Sequence, residues 1–141
     1  MAISASHVYG PYFFNSATVN GDDYYSLISE YFIPMLRRQR RLQSAWFQQD
    51  GAPPHWTLRV RALLDEFFRE RWIGRNGPLR WPARSPDLAP PDFFLWGFLK
   101  NEVFRRNPQT IEQLKTFIEE ECMKLTPNIL ENVKESFVSR L

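Results

Sequence analysis

The spacing of apolar residues changes period along this chain. Residues 8 to 14, VYGPYFF, are aromatic and β-prone and read as a strand interrupted at Gly10-Pro11. Asn20-Gly21 reads as a turn. From 22 to 39 the apolar positions Tyr24, Leu27, Ile28, Tyr31, Met35 and Leu36 recur at helical spacing. Asp22 and Asp23 open that helix and arginines close it, the arrangement the helix dipole favours. Residues 44 to 49, SAWFQQ, predict a short strand, and residues 56 to 70 a second helix with Val60, Leu63, Leu64, Phe67 and Phe68 on its stripe.

Residues 71 to 91 break the pattern. Gly74, Gly77, Pro78, Pro82, Pro86, Pro90 and Pro91 predict a long irregular segment, with a short strand at 79 to 81. Three helices follow. The first covers 92 to 104 and is largely apolar. Thr110 and Gln113 read as the capping box of the second, whose stripe is Ile111, Leu114, Ile118, Cys122 and Leu125. Thr126-Pro127 starts the third, with Leu130, Val133, Phe137 and Leu141 on one face. Early alternation and a helical end predict an α/β fold with a small sheet, too few strands being visible to complete one.

Within WFQQDGAPPH, at 46 to 55, a strand-like run stops at Asp50. A plain reading is a turn, since Asp-Gly turns readily and Pro53-Pro54 cannot extend a sheet. A sharper one is a metal or catalytic carboxylate at the carboxyl end of a strand, where α/β folds hold their chemistry. Asp92 is the second special position. It follows SPDLAPP and opens a helix, either as a cap or as a ligand. With 41 residues between them, one helix and a loop could return the chain to the same sheet edge. Together they would form a hard-oxygen pair suited to Mg²⁺ or Mn²⁺. Asp87 reads as a turn residue, and Asp22 and Asp23 as helix-start acids. His55 offers a ligand, a base or a structural imidazole after the Pro-Pro turn, and the last is the plainest. Phe93, Phe94, Trp96 and Phe98 lie on several faces of one short helix and read as core.

Composition adds three points. With 141 residues, 43% hydrophobic and 16% aromatic, the chain suits one packed domain. The net charge is only +2, but residues 37 to 84 hold eleven arginines and no lysine. Arginine matches phosphate geometry, so this run hints at a polyanion partner, with solvated helix faces as the plain alternative. Cys122 is the single cysteine, which excludes an internal disulfide and a multi-cysteine metal site and fits a reducing compartment. No apolar run reaches about 18 residues, so no membrane span is expected.

QQDGAPPH at 48 to 55, WPARSPDLAPPDFFLWGFLK at 81 to 100 and the leading GPYFFNSATVNGDDYYSLISEYFIPML resemble the catalytic domain of mariner-type transposases, along essentially the whole chain. The resemblance implies an RNase H-like α/β fold of the DDE/D superfamily, with C-terminal helices. It also implies metal-dependent DNA cleavage and strand transfer in transposition. Asp50 matches the family's second catalytic carboxylate and Asp92 the third, both ligands of Mg²⁺ or Mn²⁺. The arginine-rich middle, including Arg59, Arg75, Arg80 and Arg84, would lie against DNA, in the nucleus, with a homodimer as a further expected partner. The family's first catalytic Asp lies upstream of the segment matching AISASHVYGPYFF. Residues 1–141 therefore read as a partial catalytic domain, truncated at its first strand, with no separate DNA-recognition domain and no activity alone. A non-catalytic DNA- or protein-binding role is the alternative. The 41-residue spacing reads as a loop insertion around Arg75-Asn76-Gly77.

Overall fold

The computed structural model describes residues 1–80 and 88–140. The chain forms two units, Met1–Phe13 with Ser85–Leu141, and Phe14–Arg84.

In the second of these, α1 (Gly21–Ser26) begins at Asn20, which the sequence suggests as a turn residue. Asn20 is instead the helix cap. Its side-chain oxygen accepts from the N–H groups of Asp22 (2.8 Å) and Asp23 (2.9 Å), and Asp23 returns a bond to the Asn20 N–H. The helix expected over 22 to 39 is continuous but not uniform. A π-helical stretch, Leu27–Phe32, joins α1 to α2 (Ile33–Arg38). Pro34 has no N–H to give to the preceding turn, and its ring crowds the carbonyl four residues back. The chain adapts just ahead of it, and the Ile33 N–H reaches back five residues to the Ile28 carbonyl. The strand β3 is shorter than expected, Phe47–Gln48. A 3₁₀ turn, Pro53–Trp56, precedes α3 (Leu58–Phe68), which Thr57 caps.

The irregular segment contains a strand that its sequence conceals. β4 (Trp72–Gly74) pairs parallel with β3, Phe47 opposite Trp72 and Gln48 opposite Ile73. β5 (Leu79–Arg80) pairs parallel with β4 and lies within the strand expected at 79 to 81. Three residues ending in a glycine give no period to read; β4 exists because β3 offers it an edge. Trp72 is buried, and Gly77 packs on its ring so closely that a Cβ there would fall 2.7 Å from Cζ3. The expected insertion at Arg75-Asn76-Gly77 lies in the turn between β4 and β5, where Asn76 takes a positive φ of 63°. The core of this unit includes Ile28, Ile33, Leu63, Leu64 and Val60, all buried, and an aromatic run in which Phe47 meets Phe32 (5.6 Å) and Phe68 (5.1 Å).

In the other unit, β1 (Ala2–Ile3) and β2 (Val8–Tyr9) pair antiparallel, and the segment after Tyr9 leaves the strand at a cis Gly10–Pro11 bond. The helix expected from 92 starts as a π-helical stretch, Pro91–Leu95, and continues as α4 (Trp96–Arg105). α5 spans Ile111–Met123 and α6 Pro127–Arg140. Thr110 caps α5 as read, but the Gln113 side chain accepts from the Gln109 N–H, not from that of Thr110. Leu95, Leu99, Cys122, Leu125 and Leu130 form the core, with Phe94 and Phe98 packed against it. Trp96, expected as core, is 39% exposed. Residues 81 to 87, Arg84 and Asp87 among them, lie outside the described residues.

Candidate metal centre

β3 alternates cleanly. Trp46 and Gln48 face solvent, while Phe47 and Gln49 point inward. An inward glutamine is expensive unless both ends of its amide find partners. Gln49 finds them. Its oxygen accepts from the Tyr24 hydroxyl (3.0 Å), its nitrogen donates to the His55 carbonyl (2.6 Å), and its backbone N–H donates to Ile73 (3.0 Å). Gln49 thereby ties α1, the end of β3 and the 3₁₀ turn together at the point where the strand stops.

Asp50 is the next residue. Its Oδ1 accepts from the Ala52 N–H at 2.9 Å, closing a turn, and from His55 Nδ1 at 2.6 Å. A carboxylate only accepts, so Nδ1 carries the proton and Nε2 is left to face away. The His55 ring lies 4.1 Å from the half-buried Tyr24 ring. Burial raises the Tyr24 phenol above its ordinary value, and the nearby Asp50 charge raises it further, so the hydroxyl stays protonated and donates to Gln49. The Asp50 side chain is 44% exposed, and its Oδ2 takes part in neither bond. His55, read as structural, is therefore in direct contact with the candidate ligand. Tyr24 and Gln49 carry no functional motif in the sequence. The alternation of WFQQD does put Gln49 on the inner face, which is the one signal that could have marked it.

Asp92 lies in the first turn of its helix and is exposed, its N–H donating to the Ala89 carbonyl at 2.8 Å. The residue at the cap is Pro90, with no side-chain cap bond, so the cap reading of Asp92 fails: it sits inside the first turn, where the helix dipole favours an acid. Asp50 and Asp92 belong to different units. Among the described residues, no three of His, Cys, Asp and Glu gather as a ready-made metal cluster.

The candidate DNA-contacting arginines have individual surroundings. Arg59 donates to Asp22 at 2.9 Å and covers the Tyr25 ring at 3.8 Å. Arg75 lies over the Trp56 ring at 4.4 Å, beside Gly51. Arg80 is exposed on β5. Arg84 lies outside the described residues.

No family model matches the chain. The Tc3 transposase of Caenorhabditis elegans is 32% identical to it over 130 residues, which is 91% of this chain. The chain spans about 37% of that relative's length. Two structures of the Mos1 transposase catalytic domain, solved with raltegravir and either manganese or magnesium, match 87% of this chain and 60% of theirs. Their TM-scores are 0.70 and 0.71 at 24% identity, which establishes the shared RNase H-like fold. The chain is thus similar in sequence to the Tc3 transposase and shares its fold with part of the Mos1 transposase catalytic domain.

Proposed function

We propose that this chain forms part of a transposase centre that cuts and joins DNA, with Asp50 and Asp92 as ligands of Mg²⁺ or Mn²⁺. The observation that carries the reading is the Asp50 carboxylate at the carboxyl end of β3, with Oδ1 held by two donors and Oδ2 outside those bonds. Hard carboxylate oxygens are the donors that such cations select, so the residues fit the ion. When bound, the metal would polarise the scissile phosphate and activate the attacking oxygen. The chain's own part is to hold the oxygens still. Ala52 and His55 orient Asp50, and Gln49 and Tyr24 brace His55. Asp92 would add a second oxygen from a helix start. Arg75 and Arg80, both exposed, would follow the DNA backbone, as would Arg84; Arg59 would do so with the donors that Asp22 leaves. The similarity to Tc3 and Mos1 transposases supports this assignment.

Whatever else the protein contains, the polypeptide of residues 1–141 holds two of the three carboxylates that the resemblance implies. We expect it not to cut DNA by itself. The test is a thermal melt with and without Mn²⁺ on the wild type, Asp50→Asn and Asp92→Asn. An ion that binds the native state at about 100 times its Kd adds about 2.7 kcal/mol, and the wild-type Tm should rise while the variants respond less. Equal Mn²⁺ responses in all three would remove the ligand assignment. A melt indifferent to Mn²⁺ in a chain that still binds DNA would favour the non-catalytic binding role.

A further inference from the structure

The opposite end of the same sheet carries a different chemistry. β3 leads from its amino end, where the Phe47 N–H bonds the Arg71 carbonyl, to Asp50 at its carboxyl end. At the amino end, the ends of α2 and α3 border a cleft of about 640 Å³, lined by Arg37, Arg40, Arg69, Arg71, Glu66 and Phe67 among others. Arg71 has a structural duty, since its guanidinium donates to the Leu42 and Ala45 carbonyls. Arg37, Arg40 and Arg69 are exposed, and Glu66 is the one acid among the described lining residues.

A helix C-terminus favours cations, which explains arginine there in general. It does not explain the backbone. Arg40 has φ 56°, and Arg69 has φ 51° with ψ −120°, conformations in which glycine is at home and a side chain is strained. Both strained arginines face one cleft. Strain kept at a shared position is a pointer to function, because glycine would serve the fold better.

We infer that this cleft is a second phosphate-contacting site, built to grip the phosphodiester backbone of a DNA duplex through Arg37, Arg40 and Arg69. The concave wall concentrates the positive field, and guanidinium forks match phosphate oxygens. The choice of DNA as the polyanion rests on the function proposed above. The site itself rests on the cleft and its strained arginines, and it needs no metal.

The experiment measures binding of a labelled DNA duplex by fluorescence anisotropy, in chelator, across a salt series, with Tm recorded for every variant. The variants are Arg40→Gly, Arg69→Gly, the two together, and Arg37→Gln, with Lys134→Gln as a charge control. Each lost phosphate contact should lower the slope of log affinity against log salt by about 0.9. The double glycine variant should therefore lose about two from that slope while its Tm rises. The control should leave the slope unchanged. Inorganic triphosphate as competitor separates the sources of phosphate: displacement of duplex only at far higher concentration is expected, and tight displacement would mean a small-anion site and overturn the duplex assignment. Should the glycine variants melt lower, Arg37→Gln decides, with a slope reduced by about one sustaining the site and an unchanged slope overturning it. Duplex binding that ignores all three cleft arginines but falls on Arg75→Gln and Arg80→Gln would overturn this site and leave the proposed function standing. No duplex binding by the wild type overturns the site, while the Mn²⁺ melt still tests the carboxylates.

Discussion

Gln49 is the most informative residue to replace. It is 5% exposed, and its amide is the only described link between the Tyr24 hydroxyl and the His55 carbonyl. Leucine in its place keeps the volume and strands both partners. A stranded buried polar group costs about 1–3 kcal/mol, so Gln49→Leu should lose about 2–5 kcal/mol after the gain from burying an apolar side chain. Tyr24→Phe strands only the Gln49 oxygen and should lose about 1–3 kcal/mol. With both replaced, only the His55 carbonyl is left without its partner. The double variant should then cost less than the sum of the singles by roughly 2–5 kcal/mol, the cost of the two groups it no longer strands.

The assay is a double-mutant cycle by urea unfolding, followed by circular dichroism, with m-values compared to confirm that all four proteins unfold alike. Losses that add to within about 0.5 kcal/mol would refute the network, because independent sites add and coupled ones do not. The same variants also test the link to Asp50. If Gln49 braces His55, and His55 holds Asp50, the Mn²⁺ response of Gln49→Leu should weaken beyond what its lower stability accounts for. An unchanged Mn²⁺ affinity would cut that link.

Two further outcomes are expected from the helical unit. Glu121 is buried, and its hydrogen bond from Lys124, with Arg106 alongside, holds its carboxyl below the ordinary value of 4.5. A lowered folded value contributes stability above the unfolded value, lost as pH falls; Glu121→Gln should therefore be less stable at pH 7 and show a flatter loss in acid melts below pH 4.5. Leu95 is fully buried at the centre of the core, and Leu95→Ala should lose about 2–5 kcal/mol in urea melts, with a smaller loss meaning that the cavity collapses.

The sequence makes the long helices legible because each buries a stripe at helical spacing. Leu63, Leu64 and Phe68 of α3 are read and found buried. The two carboxylates are legible through their positions, at a strand end and a helix start. What stays hidden depends on partners far along the chain. β4 is three residues long and exists as a strand only beside β3. The π-helical stretch ahead of Pro34 follows from that proline's missing N–H, and neither it nor the stretch at Pro91–Leu95 leaves a mark on the apolar spacing. Gln49 and Tyr24 meet across 25 residues, and nothing local announces that bond. The arginine cleft is hidden for the same reason. Its cations come from 37 to 40 and from 69 to 71; the sequence offers the whole arginine run as a hint of a polyanion partner, or as solvated helix faces, but does not bring these two segments together.

The two readings of Asp50, turn residue and metal ligand, are not rivals. A turn made by an aspartate fixes one carboxylate oxygen against a backbone N–H, here that of Ala52. A metal ligand needs its rotamer fixed before the ion arrives, since ordering it afterwards costs affinity. The turn supplies that order, and His55 adds a second hold on the same oxygen. Both donors act on Oδ1, which leaves Oδ2 as the oxygen for an ion. The residue types in QQDGAPPH then have one physical reason apiece: Gln49 braces from inside, Gly51 and the prolines turn the chain, and His55 returns to the carboxylate. On this view Asp50→Asn should keep the turn through its Oδ1 and lose only the ion, melting like the wild type without Mn²⁺. Asp50→Ala should lose both, and melt lower whether or not Mn²⁺ is present. Equal melting of the two variants without Mn²⁺ would separate the turn from the ligand and sink the argument.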